Sequence, residues 1–377
     1  MLNLVFIGGG HSHAIALYLW GKKPISGVNV TLISDVKNTP YSGMLPGYLG
    51  GYYTYEQTHI NLEKLAKFAK IKLIIDSVID IDIKHKKVIG RWGNQVDFDL
   101  LSIDIGSTPK NREIQGANLY TIPAKPVHFL IEKWQEIIKK TQLNPSKKLT
   151  LNIIGGGAGG VELAINIYQK LNNILTPNKL KINLIHKREQ ILSNQNQWAS
   201  YKLTEILKSK KINLYLNTVV KIVNEDSLIT ESGLKITGDY HFLVTQASTP
   251  LWLKNSSIAT DQEGFILIKD TLQTLNYDFI FATGDIATMI NYSRPKAGVF
   301  AVKQGKPLFE NISNFLKNKP LKFYHPQKHY LNIIGIGNQS AVAIWGNIAW
   351  ESPILWHFKQ YLDQTFIKYF ICLEKKV

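Results

Sequence analysis

Cysteine is almost missing from this sequence, because Cys372 is the one thiol in 377 residues. Chemistry that needs two thiolates within the chain, such as disulfide exchange, is therefore excluded, and Cys372 is expected to be incidental. Long hydrophobic runs are missing as well: no stretch of about 18 apolar residues occurs, so the sequence predicts no transmembrane helix. A strand pattern already begins at Leu4, and we therefore expect no signal peptide.

Acidic residues are few compared with basic ones. The sequence holds 28 Asp and Glu against 44 Lys and Arg, which gives a formal net charge of +16. This surplus favours anionic partners such as nucleotides or anionic lipid, although a solvated lysine surface explains it equally well. No nucleic-acid-binding motif accompanies the charge, so we expect no nucleic-acid partner. We also expect no metal site. The length allows two domains with full cores.

A glycine-rich turn near the start organises the chain. An apolar strand pattern from Leu4 to Ile7 leads into Gly8-Gly9-Gly10, and a helical pattern follows. In such a strand–turn–helix unit Gly8 allows the tight turn, and Gly10 lets backbone N–H groups approach a pyrophosphate at the helix N-terminus. His13 stands where a third glycine is usual. The alternative is an ordinary βα turn with no ligand.

The same design occurs a second time. The strand pattern 149–154 precedes Gly155, Gly157 and Gly160, so all three glycines are present here. A later strand pattern ends in 283–285, which read Thr-Gly-Asp. These three features resemble the flavoproteins with two dinucleotide-binding domains, and in particular their type II NADH dehydrogenase branch. In that family the first motif and the Thr-Gly-Asp bind FAD, and the second motif binds a nicotinamide cofactor.

The resemblance implies an α/β fold with two Rossmann-like dinucleotide-binding domains, the second inserted in the first. The FAD-binding domain is expected at 1–120 and 265–325. The NAD(P)H-binding domain is expected at 121–264. A C-terminal hairpin and an amphipathic helix are expected at 326–377. Relatives that reduce disulfides or oxidise sulfide use cysteines beside the flavin, and the single cysteine argues against both reactions here.

The stretch 39–53 is rich in Gly, Pro and Tyr and does not suit a regular helix. Its composition suits a loop that lays backbone and flat side chains against a planar ring, although a turn-rich connection is the alternative. Residues 40–47 are similar to a flavoprotein subgroup often fused to selenide, water dikinase. In that subgroup the segment passes beside the isoalloxazine ring.

The resemblance implies a set of FAD contacts. A ribose-binding carboxylate is expected after the second strand, where Asp35 stands one position late. Val78 is expected to contact the adenine. Gly106 stands at the glycine of the Ala-Thr-Gly motif that ends the corresponding strand in the family. Asp285 is expected to accept a hydrogen bond from a ribityl hydroxyl. The full set is Gly8, Gly10, His11, Ser12, His13, Asp35, Ser42, Gly43, Met44, Val78, Gly106, Asp285, Gly298 and Val299.

The residues that follow the strand 181–185 indicate whether the nicotinamide cofactor is NADH or NADPH. An NADH site needs a carboxylate there, whereas an NADPH site needs cations for the 2′-phosphate. The sequence reads His186-Lys187-Arg188-Glu189, which favours NADPH because Arg188 can grip a phosphate with two hydrogen bonds. The alternative is NADH with Glu189 turned inward. The expected NAD(P)H contacts are Gly155, Gly157, Gly160, His186, Lys187 and Arg188.

Two residues are candidate catalytic groups. Glu162 opens the helix after Gly160 and is expected near the nicotinamide, although a capping or solvated glutamate is common at such a position. Lys296 precedes Gly298, where the family points a helix N-terminus at the pyrimidine edge of the flavin. The alternative for Lys296 is a solvated lysine in the first turn of that helix.

The tail predicts a helix with Ser352 as N-cap and Pro353 at its first position. One apolar stripe is expected along it, and lysines flank the stripe. This pattern suits a helix that lies in a membrane interface, although packing on the protein or in a homodimer is the alternative. The stripe is Leu355, Phe358, Leu362, Phe366, Tyr369 and Phe370, and the flanking lysines are Lys359, Lys368, Lys375 and Lys376.

The leading hypothesis is an FAD enzyme that passes electrons from NAD(P)H to a membrane quinone. Such an enzyme is expected on the cytoplasmic side of a membrane, held peripherally by the tail helix, or else in the cytoplasm. One alternative keeps FAD and NADPH but changes the acceptor to a soluble, non-quinone molecule. Another is a flavoprotein redox sensor with low turnover. Fold alone does not choose among the three hypotheses.

Overall fold

The computed structural model describes residues 1–110, 113–193, 195–371 and 373. The first part of the chain holds ten strands and four α-helices among its described residues. The strands are β1 (Leu2–Ile7), β2 (Val28–Ser34), β3 (Asn38–Pro40), β4 (His59–Asn61), β5 (Lys72–Ile75), β6 (Val78–Asp82), β7 (Lys87–Gly90), β8 (Gln95–Asp97), β9 (Leu100–Ile103) and β10 (Thr108–Pro109). The helices are α1 (His11–Lys22), α2 (Leu45–Leu49), α3 (Tyr55–Thr58) and α4 (Leu62–Ala69).

The middle of the chain repeats the alternation of strand and helix. Its elements are α5 (Ala117–Tyr120), β11 (Thr121–Pro123), α6 (Val127–Leu143), β12 (Leu149–Ile154), α7 (Ala158–Asn172), β13 (Leu180–Ile185), α8 (Gln197–Ser209), β14 (Asn213–Tyr215), β15 (Val220–Val223), β16 (Ser227–Thr230), β17 (Lys235–Thr237), β18 (Tyr240–Leu243) and β19 (Ala247–Ser248).

The last part supplies β20 (Ile266–Ile268), β21 (Ile280–Ala282), β22 (Ala287–Met289), α9 (Gly298–Leu316), β23 (Asn332–Gly337), β24 (Ser340–Trp345), β25 (Ile348–Ser352) and α10 (Pro353–Ile371). The sequence predicted a hairpin here, and β25 adds a third strand to it. Cys372, Lys375 and Lys376, for which the sequence made predictions, lie outside the described residues.

The first sheet has five parallel strands in the order β21-β9-β1-β2-β5. β1 lies at its centre and is buried on both faces from Leu4 to Ile7, as in parallel sheets that helices cover on both sides. α1 packs on α9, and Gly305 permits this because a Cβ there would lie 2.6 Å from the Cβ of Ile15. The edge strand β21 comes from far along the chain, after the second sheet.

The second sheet is also parallel, with the order β11-β18-β12-β13-β14. A separate hydrophobic core surrounds each sheet. A three-stranded antiparallel sheet follows within each unit, β6-β7-β8 in the first and β15-β16-β17 in the second. This architecture confirms the predicted α/β fold with two Rossmann-like units.

The C-terminal segment packs back on both units. The antiparallel sheet β23-β24-β25 contacts α7 through β23 and α10 through β24. Ser352 caps α10 as predicted, because its Oγ accepts a hydrogen bond from Ile354 N at 3.1 Å. No helix in the described part of the chain combines the length and the apolar character that crossing a membrane requires.

The predicted stripe of α10 is split between two faces, which corrects the sequence analysis. Leu355, Phe366 and Phe370 are buried against the protein. Phe358, Leu362 and Tyr369 are exposed. The helix is therefore apolar on its outer face as well as on its packed face, and its lysine Lys359 points inward.

Candidate functional site

A first cleft of about 1320 Å³, open to solvent, lies where β1, β2 and β9 end. Most of the predicted FAD contacts line it: Gly8, Gly10, His11, Asp35, Ser42, Val78, Gly106, Asp285 and Gly298. Side chains that sequence reasoning missed line it as well: Asp76, Asp104, Ser107, Lys125, His128 and Trp252. The cleft therefore brings together residues that lie far apart in the sequence.

The turn after β1 requires glycine at Gly8. Its φ is +92°, a conformation that L side chains rarely adopt, and a Cβ there would lie 2.3 Å from the backbone oxygen of Asp104. Gly106 also has a positive φ, +68°, but a Cβ there would meet nothing within 4 Å. The first glycine is thus fixed by the fold, while the second leaves open space on the cleft wall.

Asp285 is a buried carboxylate on the cleft wall. Its Oδ2 accepts a hydrogen bond from Ser107 Oγ at 3.1 Å and one from Lys125 Nζ, with which it forms an ion pair. Burial alone raises the pKa of Asp285, but the Lys125 ammonium and the two hydrogen bonds outweigh it and lower the pKa. Asp285 is therefore held ionised, and it can accept from a ligand hydroxyl as the resemblance implies.

His11 joins α1 to the glycine- and proline-rich stretch 39–53. The sequence analysis held this stretch unsuited to a regular helix, which is wrong in part because it contains the short helix α2 (Leu45–Leu49). Its Nε2 accepts a hydrogen bond from Ser42 N at 3.4 Å, and its ring contacts that of Tyr41 edge-on at 5.2 Å between centroids. Burial lowers the pKa of His11 to about 4. The ring is thus neutral near pH 7, which leaves Nε2 free to accept from the loop.

Five predicted FAD contacts do not line the cleft: Ser12, His13, Gly43, Met44 and Val299. Ser12 Oγ donates to Ala301 O at 2.7 Å. The His13 ring is held between Gly8 O, at 2.7 Å, and the hydroxyl of Ser102, at 2.8 Å. Met44 is buried in the core. These side chains have local partners, so the structure gives them roles in building the wall.

Lys296, a predicted catalytic residue, does not line the first cleft either. Its Nζ donates to Ala287 O at 2.6 Å and to Thr288 Oγ1 at 2.8 Å, and it lies 4.0 Å from the centroid of the Phe265 ring. Burial lowers its pKa to about 8. It lines a small separate cavity behind Asp285. Its role as a catalytic residue stays a prediction.

A second cleft, of about 1420 Å³, opens at the glycine turn after β12. Gly155, Gly157, His186, Lys187 and Arg188 line it as predicted. Gly160 does not line it. A Cβ on Gly160 would lie 1.8 Å from Gly155 O, so the third glycine serves the close packing of helix against turn.

The charged side chains on the wall of the second cleft are mostly basic. Lys110, Lys187, Arg188 and Lys221 line it, and Glu113 is the one carboxylate among its described lining residues. Glu113 forms an ion pair with Lys110 at 3.0 Å. Glu189 is exposed and does not line the cleft.

His186 closes the basic cluster on its inner side. Its Nδ1 accepts a hydrogen bond from Gly156 N at 3.1 Å, so the proton of the neutral ring lies on Nε2. Burial lowers the pKa of His186, and the neighbouring Arg188 and Lys187 lower it further. The Nε2 donor is buried and has no hydrogen-bond partner among the described residues.

Glu162 belongs to a buried cluster of charges that lines neither cleft. Its Oε1 accepts a hydrogen bond from Gly335 N at 2.9 Å. Burial raises the pKa of Glu162, and the Lys359 ammonium opposes this increase in part. Sequence reasoning placed Glu162 near the nicotinamide and missed its partners on the tail, because they come from far along the chain.

The tail helix supplies the other charges of this cluster. Lys359 Nζ donates to Asp363 Oδ2 at 2.9 Å and to Gly43 O at 2.6 Å. Burial alone lowers the pKa of Lys359, but the carboxylates of Asp363 and Glu162 outweigh it and raise the pKa. Tyr41, beside Asp363, has a raised pKa because of burial and this carboxylate. The buried cluster thus joins α7, α10 and the loop that borders the first cleft.

Two parallel sheets, each with a glycine turn and a cleft at its carboxyl edge, define a protein with two dinucleotide-binding units. The chain belongs to the pyridine nucleotide-disulphide oxidoreductase family, whose model matches residues 2–305. This confirms the family predicted from the three sequence motifs.

Curated relatives are similar over much of the chain. The type II NADH:quinone oxidoreductase of Haemophilus influenzae is 28% identical over 233 residues, which are 57% of this chain and 51% of that protein. The external NADH-ubiquinone oxidoreductase 2 of Saccharomyces cerevisiae mitochondria is 26% identical over 357 residues, 85% of this chain and 64% of that protein. The chain thus spans about half to two thirds of the length of these relatives.

Solved structures share the fold over nearly the whole chain. NDH2 from Plasmodium falciparum superposes with a TM-score of 0.81 at 16% identity and covers 99% of this chain and 98% of that one. The sulfide:quinone oxidoreductase of Aquifex aeolicus gives a TM-score of 0.79 at 19% identity, with 97% and 91% covered. At these identities the likeness concerns the fold.

Proposed function

We propose that this protein is an FAD-dependent NAD(P)H dehydrogenase that delivers electrons to a quinone. The observation that carries the proposal is the pair of clefts, each at a glycine turn on its own parallel sheet. The names of the relatives support a quinone acceptor. The single cysteine argues against the disulfide chemistry in the family name, because no second thiol exists in the sequence.

The first cleft fits FAD. The first residue of α1, His11, lines the cleft, so the partial positive charge of this helix N-terminus lies where a pyrophosphate is bound in such folds, and Gly8 and Gly106 keep side chains out of the way. The ionised Asp285 is an acceptor for sugar hydroxyls. Bound FAD supplies hydride and electron-transfer chemistry that no side chain offers. The chain supplies binding, orientation and charge.

The N-terminus of α9 borders the same cleft. Gly298 is the first residue of this helix and lines the cleft, and a Cβ there would lie 3.2 Å from Ser42 Oγ. The partial positive charge of a helix N-terminus stabilises negative charge on a ring held there. We therefore assign the end of the cleft that is lined by Ser42 and Gly298 to the isoalloxazine ring.

The buried cluster of Glu162, Lys359 and Asp363 contacts the chain beside this end of the cleft. Lys359 donates a hydrogen bond to the backbone oxygen of Gly43, the residue that follows Ser42. Reduction of a quinone to a quinol consumes two protons as well as two electrons. Glu162 Oε1 is taken by Gly335 N, so its other oxygen, Oε2, is the atom that can hold a proton. We assign Glu162 and Lys359 to proton supply and charge compensation on the acceptor side.

NADPH is the proposed donor and NADH the second choice. Lys187 and Arg188 line the second cleft at the carboxyl end of β13, where the nucleotide ribose is held in such folds. A 2′-phosphate gains charge-assisted hydrogen bonds from these cations. An NADH site would need an acceptor there, and Glu189 does not line the cleft.

Peripheral contact with a membrane is proposed through the outer face of the C-terminal segment. Ile354 and Tyr361 of α10 are 76% and 66% exposed, and Trp345 and Ile348 at the β24–β25 turn are 56% and 67% exposed. Exposed aromatic and aliphatic side chains on one segment suit a lipid interface. Such a surface would bring the protein to a membrane-dissolved acceptor.

One anaerobic titration tests the proposal. The purified protein is followed by flavin absorbance while NADPH or NADH is added, and a short-chain quinone is then supplied. We expect bleaching at lower NADPH than NADH concentration and recovery of the colour with quinone. A yellow protein that neither nucleotide bleaches contradicts the dehydrogenase proposal. Bleaching without recovery by quinone contradicts the acceptor.

A further inference from the structure

Asp104 lies directly after β9, with its carboxylate under the first turn of α1. Its Oδ2 accepts hydrogen bonds from Ser12 N at 2.9 Å and from His13 N at 3.3 Å. The residue before the helix, Gly10, has no side chain with which to cap these N–H groups. Asp104 is 2% exposed and lines the first cleft. The N-terminus of α1 is therefore capped by an acid that follows β9.

The carboxylate also fills the space between two of the motif glycines. A Cβ on Gly10 would lie 2.3 Å from both of its oxygens, and a Cβ on Gly284 would lie 2.4 Å from Oδ1. Gly284 belongs to the Thr-Gly-Asp segment. Both glycines thus make room for Asp104, and this acid stands at the helix end that we assign to the FAD pyrophosphate.

The surroundings do not neutralise an ionised Asp104. Among the described residues, the titratable side chains around it or on the same cleft wall are His11, His13, Asp285, Lys125 just before α6, His128 in the first turn of α6, Asp35 and Asp76. Burial lowers the pKa values of His11 and His13 to about 4 and about 3, so both are neutral. Lys125 is paired with Asp285, and Lys296 is turned away to Ala287 O. Burial raises the pKa of Asp104 to about 7, with a contribution from Asp285.

We propose that Asp104 is a positioning residue for the FAD pyrophosphate and that FAD binding requires its carboxyl to be protonated. The inference rests on the proposed FAD site. One oxygen keeps the hydrogen bonds from Ser12 N and His13 N, and the other carries the proton and donates to a phosphate oxygen. The proton comes from solvent. An ionised Asp104 would face the pyrophosphate as a like charge, which disfavours the charged form.

The consequence is a dependence of FAD affinity on pH. The pyrophosphate raises the pKa of Asp104 in the complex above its value in the free protein, so the complex binds more protons. FAD affinity is then constant below the pKa of the free protein. It falls as pH rises from there to the higher pKa of the complex, roughly tenfold per pH unit.

The test is FAD binding by the full-length protein after removal of its flavin, followed by flavin fluorescence between about pH 6 and pH 8.5. The Kd of the unaltered protein is expected to rise above about pH 7, roughly tenfold per unit. Asp104→Asn keeps an acceptor for the helix N–H groups, and Asp104→Ala restores the residue that the family pattern Ala-Thr-Gly carries. Both are expected to bind FAD with a Kd that does not change with pH.

A second measurement and one control make the test specific. When FAD is added to the weakly buffered protein at about pH 8, formation of the complex is expected to take up close to one proton per FAD bound. The Asp104→Ala variant is expected to take up none. His128→Gln is the control, because His128 is another ionisable side chain on the cleft wall. The slope is expected to persist in this variant. Circular dichroism confirms that each variant folds, and Asp104→Ala decides if Asp104→Asn does not.

Three results overturn the inference. The first is an affinity of the unaltered protein that is constant with pH. The second is a slope that survives in Asp104→Ala, and the third is a slope that disappears in His128→Gln. A protein that binds FAD at none of these pH values overturns the FAD proposal itself, and this inference with it.

Discussion

Lys359, near the end of the chain, donates a hydrogen bond to the backbone oxygen of Gly43, in the loop beside the first cleft. The same ammonium is held by Asp363 at 2.9 Å, and both side chains are largely buried. A residue of the tail thus fixes the loop that we assign to the isoalloxazine. The tail helix therefore supports the wall of the site from behind without lining the cleft, and removing the whole helix would disturb the fold.

We expect Lys359→Met to destabilise the protein strongly, because it leaves the carboxylate of Asp363 buried without its cation. Removing one partner of a buried pair costs about 3–5 kcal/mol. The double variant Lys359→Met with Asp363→Leu is expected to regain most of this loss. Urea unfolding followed by circular dichroism measures it, with the exposed Lys368→Met as control. Equal losses in the single and double variants would contradict the pairing.

The rate of quinone reduction is expected to fall as pH rises through the raised pKa of Glu162. Below this pKa the carboxyl holds its proton, and above it the group is ionised and has none to give. Glu162→Gln keeps an acceptor for Gly335 N but cannot exchange a proton. Steady-state rates from about pH 5 to pH 9 should be lower in this variant and should lose that step. An unchanged profile would remove Glu162 from proton supply.

Arg188→Glu is expected to raise KM for NADPH roughly tenfold to a hundredfold, because one charge-assisted pair is worth about 1.5–3 kcal/mol. KM for NADH should change much less, because NADH lacks the 2′-phosphate. Lys181→Glu makes the same charge change at an exposed residue of β13 outside the cleft, and it should alter neither value. Parallel losses for both nucleotides would show that Arg188 does not read the phosphate.

The third glycine of the second motif can be tested against its neighbour. In Gly160→Ala the new Cβ would lie 1.8 Å from Gly155 O, so we expect a loss of about 1–3 kcal/mol and weaker NADPH binding. In Gly159→Ala the nearest atom would be 3.7 Å away, and we expect no loss or a gain of about 0.5–1 kcal/mol. Thermal unfolding and NADPH titration distinguish the two variants. Equal behaviour would mean that the turn adjusts.

Membrane contact can be tested without removing the tail helix. Ile354→Glu and Tyr361→Glu place charges on its outer face and are expected to lower the fraction bound to phosphatidylglycerol vesicles several-fold, because charged groups oppose interfacial insertion. Leu234→Glu changes an exposed leucine far along the chain from this helix and serves as control. Flotation of the vesicles measures binding. If the outer-face variants float like the unaltered protein, the interface lies elsewhere or does not exist.

Local patterns predicted the parts of the structure that local backbone rules decide. Gly8 and Gly155 mark sharp turns after buried strands, and a positive φ with no room for a Cβ makes glycine necessary at both. Ser352 marked the start of α10 because a side-chain cap acts within one turn. Such features depend only on residues that are close together in the sequence, so a local pattern can predict them.

Other features depend on contacts between distant parts of the chain, and the sequence did not reveal them. Asp104 caps α1 from another strand, and Lys125 reaches Asp285 from the linker before α6. The prediction of one apolar stripe on α10 was wrong, because apolar side chains lie on its outer face as well as on its packed face. Their periodicity therefore could not distinguish the two faces. The strand β25 was missed because most of its residues are exposed.

The order of strands in the first sheet has a consequence for biosynthesis. The edge strand β21 and Asp285 leave the ribosome only after the whole second unit has been made. The second unit is built from one continuous stretch and can fold while the first sheet still lacks its edge. The first cleft, which we assign to FAD, is complete only after that. The unit that begins first is therefore completed last, and we expect FAD to bind to a chain that is already partly folded.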